Sequence, residues 1–394
     1  MHNPKGAWRM CVGACILQLC IVGLSINSFS VYLPYLLRQC GLSNTESANI
    51  LLMRNCVSFV TLFFVGKVYE KIELRFGISL AFLFSAGGMI LYSTAQSYIQ
   101  LLLGALLAGL GYGLGGMYPV SVLLHRWFRL HEPIALGICT ACTGLAVIFG
   151  SPLITALSEN FGVQTTLMFH GMMLAVGAVC CFGIIRNWPE GVEHRRAVKK
   201  ARKRVFSFTW MHVAALCIGV SGNAAFQFLG MHFSNLGLSS YEVAAVISAV
   251  GTALMLSKFL YGGAVDHFGT RKTNLAFMFI STAGLVLCCL CGSSYRIAML
   301  SMILYGLGLA YSTIGLTVYA EELCSLDEFE NRVREYQMCY TLGSLTFSPI
   351  VGILADTTGS YVLFYAIAAV LGVAALSIIE LSYRKKVLSK GGAS

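Results

Sequence analysis

Two cations stand inside apolar runs, where a charge is costly and normally faces a partner or a wet cavity. Lys258 lies within GTALMLSKFLYGGAVDHFGTRKTNLAF, residues 251–277. It stands two turns before Asp266, about 12 Å from that end at ~1.5 Å per residue. The 17 Asp and Glu residues fall in loops or near helix ends, so none is placed to neutralise it. An unpaired cation at that depth points to an anionic ligand. The alternative is a lysine that snorkels to the nearer face. Arg54 lies about 12 Å below the opposite end of its own run. It is a second anion contact or part of an outer gate, or else an arginine that snorkels to the outer interface. Asn27 and Asn223 are polar amides near the middle of their runs, and Gln227 follows Asn223 on the same helical face. Such amides either bind a ligand or join neighbouring helices. Tyr32, Tyr112, Tyr311 and Tyr340 offer hydroxyls at similar depth, with packing as the plainer role for each.

The remaining chemical patterns do not make an enzyme. Gly111-x-Gly113-x-x-Gly116 has the spacing of a dinucleotide loop but lies inside an apolar run, where small residues allow close helix crossing. Cys139-x-x-Cys142 has redox or metal spacing, yet it sits in a helix with no nearby His or Cys pattern. Most of the 15 cysteines occupy apolar runs and read as small hydrophobic side chains. His170, His212 and His232 look isolated, with packing as the default. No metal site, cofactor or nucleophile is expected.

The elements that hold these residues follow from composition. The chain is 57% hydrophobic and 11% charged, against about 25% charged in soluble domains. It offers about twelve stretches of the roughly 20 apolar residues that span a bilayer. An all-α membrane protein follows, because backbone polar groups in lipid must be satisfied within each segment. The first run, Cys11–Leu37, is long for a leader and is read as helix 1. The net charge of +10 is distributed unevenly. Arg38 and Arg296 lie on one side, and Arg54 and Lys258 lie within spans. The rest of the 27 Lys and Arg fall in segments expected on the other side. That bias places both termini in the cytoplasm. It also makes the run Lys199–Arg204 a cytoplasmic loop, not a nucleic-acid contact.

Twelve helices are expected: Cys11–Leu37, Ser47–Tyr69, Phe76–Gln96, Tyr98–Leu124, Pro133–Leu157, Val163–Ile185, Phe208–Ser234, Tyr241–Val265, Thr273–Gly292, Ile297–Ala320, Glu335–Ala355 and Tyr361–Ser382. The two halves repeat. Gly23-x-Ser25-x-Asn27 returns as Gly219-x-Ser221-x-Asn223, and Gly41-Leu42-Ser43-x-x-Glu46 as Gly237-Leu238-Ser239-x-x-Glu242. Gly66-x-x-x-Glu70 with Arg75 returns as Gly262-x-x-x-Asp266 with Arg271. Ser151-Pro152…Glu159-x-x-Gly162 returns as Ser348-Pro349…Asp356-x-x-Gly359. The domains expected are a six-helix bundle at 1–186, a basic cytoplasmic linker at 187–207 and a second six-helix bundle at 208–394. A ligand site then lies near mid-membrane between the bundles.

The segment Gly262-x-x-x-Asp266-x-x-Gly269-x-Arg271 resembles the loop signature of major facilitator superfamily transporters between helices 8 and 9. The resemblance covers almost the whole chain. It implies alternating access, with Gly262, Asp266, Gly269 and Arg271 as a gate. Gly262 would permit close helix approach, and Asp266 can pair with Arg271. The first-half copy, with Glu70 and Arg75, is degraded, since Glu73 takes the second glycine position. Within the superfamily the chain looks most like the oxalate:formate antiporter and monocarboxylate porter branch. The matching pieces are Asn27-Ser28-Phe29-Ser30-Val31 with Gly41-Leu42-Ser43, Arg126-Trp127-Phe128 with Ala135-Leu136-Gly137, and Lys258-x-x-x-Gly262-x-x-x-Asp266. Members of that branch often carry an arginine where Lys258 stands, as a carboxylate contact. A second basic residue on helix 11 and the acidic-glycine motif of animal monocarboxylate porters in helix 1 are both absent. One buried lysine suits a monocarboxylate, or a dicarboxylate with Arg54 assisting. The expected function is secondary transport of small organic anions across the cell membrane by a monomer, as exchanger or ion-coupled porter. An exporter of amphipathic compounds is the second transport reading. A non-transporting membrane sensor is the reading from another class, which the short termini disfavour.

Overall fold

The computed structural model describes residues 6–128, 132–188, 208–323 and 329–391, so most of the basic linker lies outside the described residues. Twelve helical regions follow one another among them, with no strand. The first half comprises α1 (Ala7–Asn27, continuing as Phe29–Cys40), α2 (Asn44–Lys71), α3 (Leu74–Ser93), α4 (Tyr98–Gly115, then Met117–Trp127), α5 (Glu132–Phe161) and α6 (Val163–Ile184). The second comprises α7 (Trp210–Gln227, then Leu229–Asn235), α8 (Ser240–Phe268), α9 (Thr270–Leu290), α10 (Tyr295–Gly308, Tyr311–Gly315 and Leu316–Leu323), α11 (Phe329–Thr358) and α12 (Val362–Gly391).

Ten of these helices are long and apolar enough to cross a membrane, and α7 makes eleven if its two pieces, bent by 59°, count as one span. The twelfth expected span is interrupted: the longest piece of α10 is 14 residues. Its apolar pattern reads straight through Ile297–Ala320, but the backbone widens into a π-helical turn at Tyr311–Gly315. The same departure occurs in α1 at Gln18–Asn27 and in α7 at Gly219–Ala224. These two stretches overlap at repeat-equivalent positions. In α4 the break falls at Gly116, between its two pieces. Single π turns inside α-helices recur at functional sites, and here they fall in α1, α7 and α10.

Glycine packing holds the bundle together. A Cβ on Gly111 would come within 2.1 Å of Ser85 Oγ on α3, and one on Gly113 within 2.5 Å of Thr61 Cβ on α2. In the second half, a Cβ on Gly308 would meet the Phe277 carbonyl at 2.4 Å. Gly111 and Gly113 thus serve close helix crossing, as expected, whereas Gly116 stands at the break in α4. Large apolar side chains such as Phe63, Phe149, Val179, Phe259 and Val370 point outward, in keeping with a lipid-facing belt.

The halves meet mainly on the side away from the termini, the far face. There α7 crosses α1 so closely that a Cβ on Gly230 would lie 1.8 Å from the Ser30 carbonyl oxygen. Arg38 donates to Ser234 Oγ at 3.0 Å. The Asp356 carboxylate of α11 accepts from the backbone N–H groups of Asn44 and Thr45, each at 2.9 Å, and from both of their side chains. It thus caps the N-terminus of α2 with a negative charge at the positive end of the helix dipole. Glu159 of α5, the repeat counterpart, accepts from Tyr35 at 2.7 Å and sits against Ser240 at the start of α8.

Candidate functional site

Between the halves, at the depth of the sequence-derived cations, a chain of polar side chains crosses from one bundle to the other. Asn55 Nδ2 donates to Gln227 Oε1 at 2.9 Å, and Arg54 Nη2 donates to the same oxygen at 3.3 Å. Gln227 Nε2 in turn donates to Asn223 Oδ1 at 3.1 Å and to Ser344 Oγ at 3.2 Å. The amide therefore turns its oxygen to the cation and its nitrogen to the second half. Arg54, Asn223 and Gln227, picked from sequence one by one, form a single network. Asn55 and Ser344 join them; nothing in their spacing marked them.

Arg54 does not snorkel. It is 1% exposed, and its guanidinium lies over the Phe29 ring, 5.2 Å from the centroid. Tyr92 and Tyr112 are close enough to interact with it electrostatically. Its Nε and Nη1 have no hydrogen-bond partner among the described residues, and neither does the buried Tyr92 hydroxyl. A guanidinium presents five N–H donors, and a buried charge normally has its donors met. Arg54 meets this requirement only in part, and its one protein acceptor is a neutral amide.

Lys258 occupies a different setting. On α8, Ser248 donates to the Ile148 carbonyl at 3.1 Å, and a Cβ on Gly251 would meet Val147 of α5 at 2.7 Å. One turn further, Met255 approaches Gly144. Lys258 and Gly262 continue that face by helical period, but there the partner is gone. Gly262 and, on α5, Gly137 have open space where a Cβ would stand. The half-buried Lys258 thus lies just past the point where α5 and α8 part, with no hydrogen bond or ion pair among the described residues.

The other sequence candidates lie on α1, α10 and α11. Asn27 is half-buried, and its side-chain amide is unbonded among the described residues. Tyr340 is half-buried near Tyr112 and Tyr311. Tyr32 and Tyr311 are buried within their own halves. Tyr32 bonds His170 Nδ1 at 3.2 Å, and Tyr311 bonds Ser221 Oγ at 3.2 Å. His170 also contacts Ser25 Oγ through Nε2 at 3.2 Å, so it is not isolated. Nor is His212, whose Nε2 lies 3.1 Å from Glu335 Oε2.

The expected gate pair is not formed in this structure. Arg271 holds Glu380 of α12 with both Nε and Nη2, and Asp266 is exposed without an ion pair among the described residues. Arg75 likewise bonds Glu73 at 2.8 Å, not Glu70. Both arginines have a carboxylate in reach within their own half, which leaves the acidic gate positions free. Gly262 does not approach another helix here: it is exposed, with open space where a Cβ would stand. Gly269 has a φ of 78°, a left-handed turn that favours glycine. On the termini's side of the first half, an open cavity of about 830 Å³ is lined by Met117, Tyr118, Ser121, Val122, His125, Arg126 and Trp188. The Arg126 guanidinium lies 4.3 Å from the Trp188 ring centroid.

Comparison with known proteins gives this arrangement its context. The sequence model of the Major Facilitator Superfamily matches residues 15–328 and 211–394. An MFS-type transporter of Gibberella moniliformis is 22% identical over 357 residues, covering 90% of this chain and 84% of its own. Monocarboxylate transporter 12 of Rattus norvegicus is 20% identical over 401 residues, covering 91% and 82%. Among solved structures, a mutant of the nucleoside transporter NupG superposes with a TM-score of 0.79 at 10% identity, over 96% of this chain and all of that one. A bacterial homolog of the human lysosomal transporter Spinster, inward-facing and occupied, superposes with a TM-score of 0.71 at 13% identity, over 96% of each chain.

Proposed function

Because this chain belongs to the Major Facilitator Superfamily, we propose that it carries small organic anions, mono- or dicarboxylates, across the cell membrane. The two moving bodies are residues 1–186 and 208–394, joined by the basic linker and rocking about the far-face contacts. The bias of Lys and Arg in the sequence supports reading the side of the termini as cytoplasmic, and on that reading the opening beside Lys258 is cytoplasmic in this conformation. The chain acts as a monomer, as exchanger or ion-coupled porter.

The observation that carries this reading is the unpaired Lys258 at the parting of α5 and α8. An ammonium is kept at such depth at a cost, and a carboxylate arriving from the opening would offset it. Arg54, further in, is the second cation that such an anion meets. The likeness to a mammalian monocarboxylate transporter supports the same substrate class. Gating follows from Asp266 and Arg271: closing the opening would bring helix faces together over Gly262, while the far face opens.

A second reading is favoured by the cavity beside Trp188, whose Met117, Tyr118 and Val122 walls suit an amphipathic cargo for export. Uptake of labelled carboxylates into proteoliposomes, with and without an internal carboxylate load, separates the two. Anion transport predicts flux that internal load stimulates, that falls at least ~10-fold in Lys258→Ala and that recovers in part in Lys258→Arg. Undiminished flux in folded Lys258→Ala moves the site away from Lys258. No carboxylate flux at all leaves the amphipathic exporter.

A further inference from the structure

In the first half, on the termini's side of the bundle, α1 and α5 bring four thiols to one place. Cys11 and Cys15 are one turn apart on α1, and Cys139 and Cys142 nearly one turn apart on α5; both spacings put each pair on one helical face. Cys139 Sγ lies 3.8 Å from Cys11 Sγ and 3.6 Å from Cys15 Sγ, and the three sulfurs all lie within 4.8 Å of one another. Cys142 lies against Cys15. The Cys139-x-x-Cys142 pair, which has no partner pattern in its own stretch of sequence, finds its partners on a helix more than a hundred positions away.

We propose that this cluster is a binding site for a soft divalent d10 metal ion, of the Zn(II) and Cd(II) class. A tetrahedral centre with Zn–S bonds of about 2.3 Å spaces its sulfurs about 3.8 Å apart. The measured separations of Cys139 from Cys11 and Cys15 match that edge. Binding therefore requires small thiol rotations and no movement of the helices. Each coordinating thiol loses its proton to water as its metal–sulfur bond forms. Three thiolates on a divalent ion leave one net negative charge, and four leave two. Low-dielectric surroundings favour the smaller charge, with Cys142 as a neutral fourth ligand or in contact only.

Access and rigidity fit the same role. Cys11 and Cys139 are buried, whereas Cys15 and Cys142 are half-buried, so the cluster is not sealed from outside. Among the described residues no His, Asp or Glu joins the cluster, and an all-sulfur donor set discriminates against hard ions such as Mg(II) and Ca(II). A bound ion would clamp α1 to α5, the helix that also carries the contact with α8.

The test uses the full-length protein, purified under reducing conditions, with the reductant removed before CdCl2 titration. Cadmium–thiolate charge-transfer absorbance reads coordination, and a calcium titration serves as the hard-ion control. The wild type is expected to take up one tightly held Cd(II) per chain. Replacement of Cys11, Cys15, Cys139 and Cys142 together by serine should abolish that uptake, and Cys139→Ser alone should weaken it at least 10-fold. In wild type, Cd(II) should also protect Cys15 and Cys142 from maleimide, read by peptide mass spectrometry. This second measurement needs no variant to fold. Uptake that persists in the monodisperse four-serine variant overturns the proposal. So does equal maleimide labelling of Cys15 and Cys142 with and without Cd(II).

Discussion

At the scale of single residues, the protein keeps two cations in the membrane region in different ways. Lys258 is half-buried at the edge of an opening, while Arg54 is enclosed by Phe29, Asn55 and Gln227. A buried charge with incomplete partners is seldom kept for stability. Replacing such a group by an apolar side chain of similar volume is often neutral, or stabilising by about 1–4 kcal/mol. Arg54→Met should therefore leave the thermal midpoint in detergent unchanged or raised, while lowering carboxylate flux at least ~10-fold. A midpoint that falls by several degrees with flux intact would make Arg54 a structural ion. The depth of both cations was legible in the sequence, because an apolar run shows where a charge interrupts it. The partners of Arg54 were not. Gln227 is 173 positions away, and only the packing of α2 on the second half brings it within reach. The thiols were hidden for the same reason, since each helix displays only half of their cluster.

At the scale of elements, the repeats were readable as matched motifs, and the structure gives one of them a task. Ser348-Pro349…Asp356 ends in the carboxylate that caps α2, and Ser151-Pro152…Glu159 ends in the one beside α8. Each ties the end of one helix to the start of another in the opposite half. Hydrogen bonds to a charged group contribute about 1.5–3 kcal/mol, so these ties weigh on which face is closed. Asp356→Asn should lengthen the distance between spin labels on the far-face loops at Gln96 and Ser293, measured by double electron–electron resonance in nanodiscs. An unchanged distance distribution would show that Asp356 only caps α2. The break in α10 was not legible. Its composition is as apolar as that of its neighbours, and a π turn leaves no periodic mark strong enough to read in a single chain.

At the scale of the whole molecule, the two faces are in opposite conditions. Gly230 is pressed against Ser30 on the far face, while Gly262 stands clear on the other. Alternating access requires these conditions to exchange. A side chain at Gly262 then costs nothing in this conformation and obstructs the other. Gly262→Leu should leave the thermal midpoint within a degree or two and cut transport at least ~10-fold, with Gln96–Ser293 distances fixed at their present values. Transport at the wild-type rate would show that this helix face never closes. The sequence located the glycine and its loop, but the sequence alone describes no particular conformation. The expected Asp266–Arg271 pair is absent in this one because Arg271 is held by Glu380.

The widened turns of α1 and α7 also bear on how the two halves are related. A π turn adds a residue to a helix, and in a helix that lines an interior it shifts every side chain beyond it. Gln18–Asn27 and Gly219–Ala224 overlap at equivalent positions of the two halves, around Gly23-x-Ser25 and Gly219-x-Ser221. One extra residue shared by both halves would account for that coincidence more simply than two separate insertions. The fourth helices differ: α4 breaks at a glycine pair, whereas α10 breaks through a π turn. In their fourth helices, then, the two halves reach a similar break by different local geometry.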